Sequence, residues 1–207
     1  MMSAGPLVYV IDDDEAMRDS LEQLLASKGF AVTTFATAPD FLAAFDPAHA
    51  GCVVADIHMP GMSGLELQAR LRDRDKDLPI IIMTGNADVP SAVRALKSGA
   101  IDFIEKPVDT DSLVSAIRNG LARRAAAAAA SAARSRIAEL TPRERDVLQY
   151  LIAGHPNKLI AYELGISPRT VENHRAHLML KMQVGSVAEL VQMALAAGLV
   201  AAELRRM

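Results

Sequence analysis

The stretch Cys52-Val53-Val54-Ala55-Asp56-Ile57-His58-Met59-Pro60-Gly61-Met62-Ser63-Gly64 decides the fold. It begins with four apolar residues, Cys52 to Ala55, the pattern of a strand buried on both faces. It then reaches a carboxylate, Asp56. A loop punctuated by Pro60, Gly61 and Gly64 follows at once. In an open α/β sheet, ligands sit outside the carboxyl ends of the strands. Asp56 therefore stands where chemistry is usually done. A lone Asp at such a point is more often a turn or cap residue, so its neighbours in the sheet must decide.

Working outward, the same pattern repeats. Leu7 to Ile11 reads as a strand and runs into Asp12-Asp13-Asp14-Glu15. Met17, Leu21, Leu24 and Leu25 recur at helical spacing, and Gly29 stops that helix. Ala31 to Phe35 reads as strand two and Pro39 to Phe45 as a short helix. Leu65 to Leu71 reads as a helix before a charged loop, Arg72 to Asp77. Pro79 to Met83 is strand four, Val89 to Ser98 a helix, Ile101 to Ile104 strand five, and a last helix starts near Ser112. Strands alternating with helices predict an α/β domain, a parallel sheet covered on both faces. No Gly-x-Gly-x-x-Gly follows strand one, which argues against a dinucleotide site.

The polar residues at the strand ends then form one set. Strand one brings Asp12 and Asp13, strand three Asp56, strand four Thr84 and strand five Lys106. Carboxylates gathered on one edge repel each other unless a cation lies among them. Oxygen donors of this kind suit Mg²⁺. A carboxylate beside Mg²⁺ and Lys106 is placed to attack phosphorus, with Thr84 donating to a phosphoryl oxygen. Taken singly, the acidic run could be a solvated turn, Thr84 a helix cap and Lys106-Pro107 an ordinary loop. It is their occurrence together, in order, that favours the functional reading.

Charge separates the chain into two parts. Residues 1–120 hold 10 Lys and Arg against 18 Asp and Glu, and residues 121–207 hold 12 against 7. An acidic front and a basic rear predict two modules with different partners, the basic one suited to nucleic acid. The single cysteine, Cys52, lies in a strand pattern and reads as a buried core thiol in a reducing compartment. No signal peptide and no uncharged apolar run long enough to span a membrane is visible, so a cytoplasmic location is expected.

Residues 5–122 strongly resemble the receiver domain of bacterial response regulators. The matching segments are Val10-Ile11-Asp12-Asp13-Asp14, Asp56 to Gly64, Met83-Thr84-Gly85 and Asp102-Phe103-Ile104-Glu105-Lys106-Pro107. The resemblance implies a flavodoxin-like five-stranded sheet of order 2-1-3-4-5, an order known for such folds. It implies that Asp56 accepts phosphate from a sensor histidine kinase. Asp13, Asp56 and the His58 backbone carbonyl would bind Mg²⁺ (or Mn²⁺), with Asp12 acting through water. Thr84 and Phe103 would form a switch pair, and a face including Val93 and Lys97 would dimerise. Val108 departs from the Phe that many relatives carry after Lys-Pro, which would loosen packing at the start of the last helix.

Ala122 to Ala138 is dominated by Ala and Arg. Ala favours helix, so the last receiver helix is expected to continue as a linker helix of roughly 40 Å in all. Gly120 is its weak point, and a flexible tether is the alternative. Beyond it, Leu140-Thr141-Pro142-Arg143-Glu144 reads as a helix start with Thr141 as N-cap, Pro142 at the first position and Glu144 completing a capping box. Asn157 to Leu164 and the helix opened by Ser167-Pro168 and running to Met182 are joined across Gly165, as in a helix-turn-helix. Val187 to Ala197 forms a fourth helix.

Leu140 to Glu144, Asn157-Lys158-Leu159-Ile160-Ala161 and Ser167 to Arg175 resemble the LuxR/NarL DNA-binding domain. By position, Glu172, Asn173 and Ala176 would face base edges, and Lys158, Arg169, Thr170, Arg175 and Lys181 would face phosphates. His174 would be packed, and the last helix would dimerise. With Pro156-Asn157-Lys158 and Phe103 to Pro107, the whole chain resembles the FixJ subfamily. Expected domains are a receiver at 1–121, a helical linker at 122–138 and an all-α helix-turn-helix domain at 139–207. The expected protein is a non-enzymatic phosphoryl acceptor with at most weak self-dephosphorylation. It would dimerise on phosphorylation, bind double-stranded DNA, meet RNA polymerase and activate transcription, with oxygen-responsive or nitrogen-fixation genes as targets. Two rivals are weighed. An aspartyl phosphohydrolase commonly has a second Asp two residues on, where this chain has His58. An RNA-binding antiterminator would need stacking platforms, whereas Tyr150 and Tyr162 are expected in packed settings.

Overall fold

Strand β3 (Gly51–Asp56) is buried at all six positions and occupies the middle of a five-stranded parallel sheet. The computed structural model describes residues 5–49, 51–85 and 89–199, so residues 1–4 and 200–207 of the two expected domains lie outside the described residues. The other strands are β1 (Leu7–Ile11), β2 (Ala31–Phe35), β4 (Ile80–Thr84) and β5 (Asp102–Glu105), in the order β2-β1-β3-β4-β5. This is the expected order. β2 and β5 lie at the edges and are only partly buried.

Strand alternation builds two cores. Tyr9, Ile11, Val53, Ala55, Ile80 and Ile82 face one way, onto α2 (Ala38–Ala44), α3 (Gly64–Arg74) and α4 (Val89–Lys97). Val8, Val10, Cys52, Val54, Ile81 and Met83 face the other, onto α1 (Glu15–Ser27) and α5 (Thr110–Ala138). Apolar runs without alternation are what a doubly covered sheet requires. Val108 is half-buried and packs against the second core.

Helix starts follow local chemistry. Asp14 caps α1 by accepting from the Ala16 and Met17 N–H groups, and Thr37 caps α2. Ser63 and Glu66 form a complete capping box at α3, which the loop-like reading of that stretch did not anticipate. α3 also runs on through Arg72 and Arg74, where a charged loop was expected. Arg72 donates to the Ser98 carbonyl (3.1 Å) and Arg74 to the Leu42 carbonyl (2.6 Å), so both guanidinium groups hold neighbouring backbone while their residues stay helical.

The chain divides into two compact units, Met1–Arg124 and Ala125–Met207. The helix α5 is continuous through Gly120, the expected weak point. A Cβ there would come within 2.8 Å of Pro79 Cβ and 3.2 Å of Ile101 Cδ1, so glycine is what lets α5 lie close to the sheet. Arg124 ends the first unit with an ion pair to Asp75 at 2.7 Å.

The second unit is helical. α6 (Pro142–Ile152), α7 (Asn157–Leu164), α8 (Pro168–Met182) and α9 (Val187–Ala196) enclose a core of Val147, Leu148, Ile160, Val171, Leu178 and Leu190. The Thr141–Glu144 capping box is present, Gly165 closes α7 in the left-handed region, and Ser167 caps α8. Tyr150 is half-buried beside His155, but Tyr162 is 82% exposed, which corrects the packed setting expected for it. The residues that seal α7 are Ile160 and Ala161, and Tyr162 lies on the opposite side of that helix. No helix among the described residues is long and apolar enough to cross a membrane.

Candidate functional site

The sheet places its chemistry through backbone bonds that continue past the strand ends. Ile57 N–H donates to the Met83 carbonyl (2.8 Å), and Lys106 N–H donates to the Thr84 carbonyl (2.7 Å). Asp56 pairs in register with Met83, and Thr84 with Glu105. Asp56, Thr84 and Lys106 are thereby brought to one edge, beside Asp12 at the end of β1. Asp12 is 1% exposed, Asp56 5% and Thr84 0%. Gly64 lets α3 begin against this edge, because a Cβ at that position would stand 2.4 Å from the Asp56 carbonyl oxygen.

Lys106 ties the set together. Its Nζ lies 2.7 Å from Asp12 Oδ2 and 2.6 Å from Asp56 Oδ1. The remaining oxygen of each carboxylate meets a backbone donor. Asp56 Oδ2 accepts from His58 N–H (2.6 Å), and Asp12 Oδ1 accepts from Asp14 N–H (3.0 Å). Burial alone would lower the Lys106 pKa, but hydrogen bonds and charge from Asp12 and Asp56 outweigh it and hold the ammonium above its ordinary value. The site is thus a charged triad with each carboxylate engaged at both oxygens.

Asp13, next along the loop, is exposed. Arg18, which sequence reasoning passed over, donates from Nη1 to the Asp12 carbonyl (2.8 Å) and the Asp13 carbonyl (3.1 Å). Among the described residues, no three carboxylate, thiol or imidazole groups close into a metal-binding cluster. The donor chemistry at the edge is nevertheless hard and all oxygen, which fits a divalent cation of the Mg²⁺ type and no soft metal. Phe103 is half-buried against the core on the α2–α4 face and lines an open cavity of about 310 Å³ with Asp102, Glu105 and Pro107. On α4, Val93 is 42% exposed, and Lys97 is exposed beside Leu96.

In the second unit, Glu172, Asn173, Ala176, Arg169 and Lys158 are exposed on α8 and α7. His174 is half-buried. Thr170 and Arg175 are partly buried. The Thr170 hydroxyl lies 2.8 Å from that of Ser167, and Arg175 donates to the Asn157 side chain. Lys181, expected to face a phosphate, is paired within the unit and its side chain is 37% exposed. Its Nζ lies 2.7 Å from Glu144 Oε2. Glu144 is 4% exposed, and a buried carboxylate needs a paired cation. Burial raises the Glu144 pKa, but Lys181 and the Thr141 N–H and hydroxyl prevail, leaving it at about 2.

Comparison with known proteins bears on both units. Residues 8–118 match the response regulator receiver domain family, and residues 138–194 match the bacterial regulatory proteins of the luxR family. The transcriptional regulatory protein FixJ of Bradyrhizobium diazoefficiens is 52% identical over 93% of this chain and 96% of its own length. DctR of Rhodobacter capsulatus, named as a C4-dicarboxylate transport transcriptional regulatory protein, is 44% identical over 90% of this chain and 98% of its own. The crystal structure of full-length FixJ from B. japonicum is similar with a TM-score of 0.61 at 49% identity, covering 96% of this chain and all of that one.

Proposed function

This chain belongs to the response regulators that join a receiver domain to a luxR-family DNA-binding domain, in the FixJ subfamily, and from that membership we propose that phosphorylation of Asp56 switches it into a DNA-binding dimer. The observation that carries the reading is the Lys106 ammonium held within 2.7 Å of both Asp12 and Asp56 at the carboxyl edge of the sheet. In this function residues 1–121 are the phosphoacceptor module, 122–138 the linker and 139–207 the DNA-binding module.

The chemistry follows from these groups. A carboxylate oxygen of Asp56 attacks the phosphorus of a phosphohistidine on the sensor kinase. The P–O bond forms as the P–N bond breaks, and the leaving imidazole takes up a proton. Lys106 offsets charge on the transferring group, and the Thr84 hydroxyl donates to one of its oxygens. Asp12, Asp13, Asp56 and the His58 carbonyl are the groups that would hold Mg²⁺ (or Mn²⁺), which supplies further neutralisation of phosphoryl charge. The chain accepts one phosphoryl group and turns over no external substrate.

The acyl phosphate then biases a two-state equilibrium. Thr84 moves toward the phosphate, the Phe103 ring follows inward, and the face carrying Val93 and Lys97 dimerises. Two α8 helices enter successive major grooves, with Glu172, Asn173 and Ala176 at base edges. Lys158, Arg169, Thr170 and Arg175 contact phosphates, and the bound dimer meets RNA polymerase to activate transcription. Control of oxygen-responsive or nitrogen-fixation genes is the reading that the FixJ resemblance favours. The 44% identity to DctR favours a second reading, in which a different signal feeds the same device.

Sedimentation with Mg²⁺ and beryllofluoride tests this. The wild-type mass should double while Asp56→Asn stays unchanged. A wild-type mass that does not move refutes phosphorylation-driven dimerisation.

A further inference from the structure

Three aspartates follow β1, and each is fixed differently. Asp12 is held through both carboxylate oxygens, by Asp14 N–H and by Lys106. Asp14 is held as the α1 cap, accepting from Ala16 N–H (2.9 Å) and Met17 N–H (3.3 Å). Among the described residues, no hydrogen bond engages the Asp13 carboxylate, which is exposed. What restrains Asp13 is its backbone. The Asp12 and Asp13 carbonyls belong to the two peptide planes that flank the Asp13 Cα, and one nitrogen of Arg18 holds both, at 2.8 and 3.1 Å. Fixing both planes fixes the direction of the Asp13 Cβ. Arg18 can do this because it lies on the first turn of α1, with its own N–H donating to the Asp14 carbonyl (3.0 Å), so its side chain reaches back over the loop.

We infer that Arg18 is a positioning residue for the phosphoryl-transfer site, orienting Asp13 toward the divalent cation without touching either cation or phosphate. The inference rests on the function proposed above. A plainer role would be electrostatic, a guanidinium relieving repulsion within Asp12-Asp13-Asp14-Glu15. The two roles differ in sign. If Arg18 acts only as a nearby positive charge, removing it strengthens cation binding. If it orients a ligand through the backbone, removing it weakens cation binding, as loss of a ligand-orienting partner usually does, by about tenfold or more.

The test is calorimetric titration of the full-length, unphosphorylated chain with Mg²⁺ alone, for wild type, Arg18→Ala and Arg18→Lys. Arg18→Ala should bind about tenfold more weakly. Arg18→Lys, which keeps the charge and can bridge the carbonyls only imperfectly, should fall between the two. Amide hydrogen exchange without metal should quicken at Asp13 and Asp14 in Arg18→Ala while β3 and β4 keep their protection. Equal or tighter Mg²⁺ binding by Arg18→Ala overturns the inference, as does faster exchange across the whole sheet, which would mark a general stability role. A wild type that binds no Mg²⁺ overturns the reading of the site itself, and the inference with it.

Discussion

Replacing Lys181 with Met isolates the contribution of one charge to the helical unit. Its Nζ lies 2.7 Å from a Glu144 carboxylate that also serves the Thr141 cap. The Glu144 pKa falls from 4.5 to about 2. At ~1.4 kcal/mol per pKa unit, that shift corresponds to about 3 kcal/mol for all the groups that stabilise the charged form. Lys181 supplies only part of it, and its side chain is 37% exposed, so solvent screening cuts its share to about 1–2 kcal/mol. The sign follows from the depressed pKa. The stability is fully present above the unfolded value near 4.5 and is lost as pH falls toward 2. Urea denaturation of wild type and Lys181→Met, with α6 and α8 followed by amide exchange, should show a loss of about 1–2 kcal/mol at pH 7 that shrinks steadily below pH 4.5. A loss of equal size at pH 7 and pH 2.5 would show that the lysine stem packs and its charge is idle. No loss at pH 7 would refute the pairing altogether.

Three other outcomes can be checked directly. Gly64→Ala drives a Cβ to 2.4 Å from the Asp56 carbonyl oxygen, so phosphoryl uptake from a small donor such as acetyl phosphate should slow by about tenfold or more, since small misplacements are costly in catalysis. Gly120→Ala should lower the melting temperature of the first unit, despite alanine's better helix propensity, because the 2.8 Å approach to Pro79 implies an overpacking cost of about 1–3 kcal/mol. Cys52 is fully buried with its thiol pushed up to about 12, so iodoacetamide at pH 8 should leave it unmodified until the chain is unfolded in urea.

Strand identity was legible because a doubly covered parallel sheet writes itself as unbroken apolar runs ending in polar residues, whereas the order of the strands was implied only by the resemblance to receiver domains. The positions of Asp12, Asp56, Thr84 and Lys106 at the strand ends follow from the same pattern. Contacts made through the backbone leave no such trace. The His58 N–H on Asp56 and the Asp12 and Asp13 carbonyls under Arg18 use groups that every residue carries. The Lys181–Glu144 pair was missed because a basic residue on a helix expected to face DNA looks like a phosphate contact. Only the burial of Glu144, 37 positions away in the chain, shows where that charge is spent. The end of α3 was missed because charged residues look like a loop until their carbonyl partners in other elements are known.

Strand β3 sends Val53 and Ala55 into one core and Cys52 and Val54 into the other. A slip of one residue would exchange the two sets and carry Asp56 off the edge at the same time. The aspartate therefore has no fate separate from that of the strand. A lineage that keeps this register foldable keeps position 56 at the edge, so selection against misfolding also guards the place from which the proposed phosphoryl transfer would start.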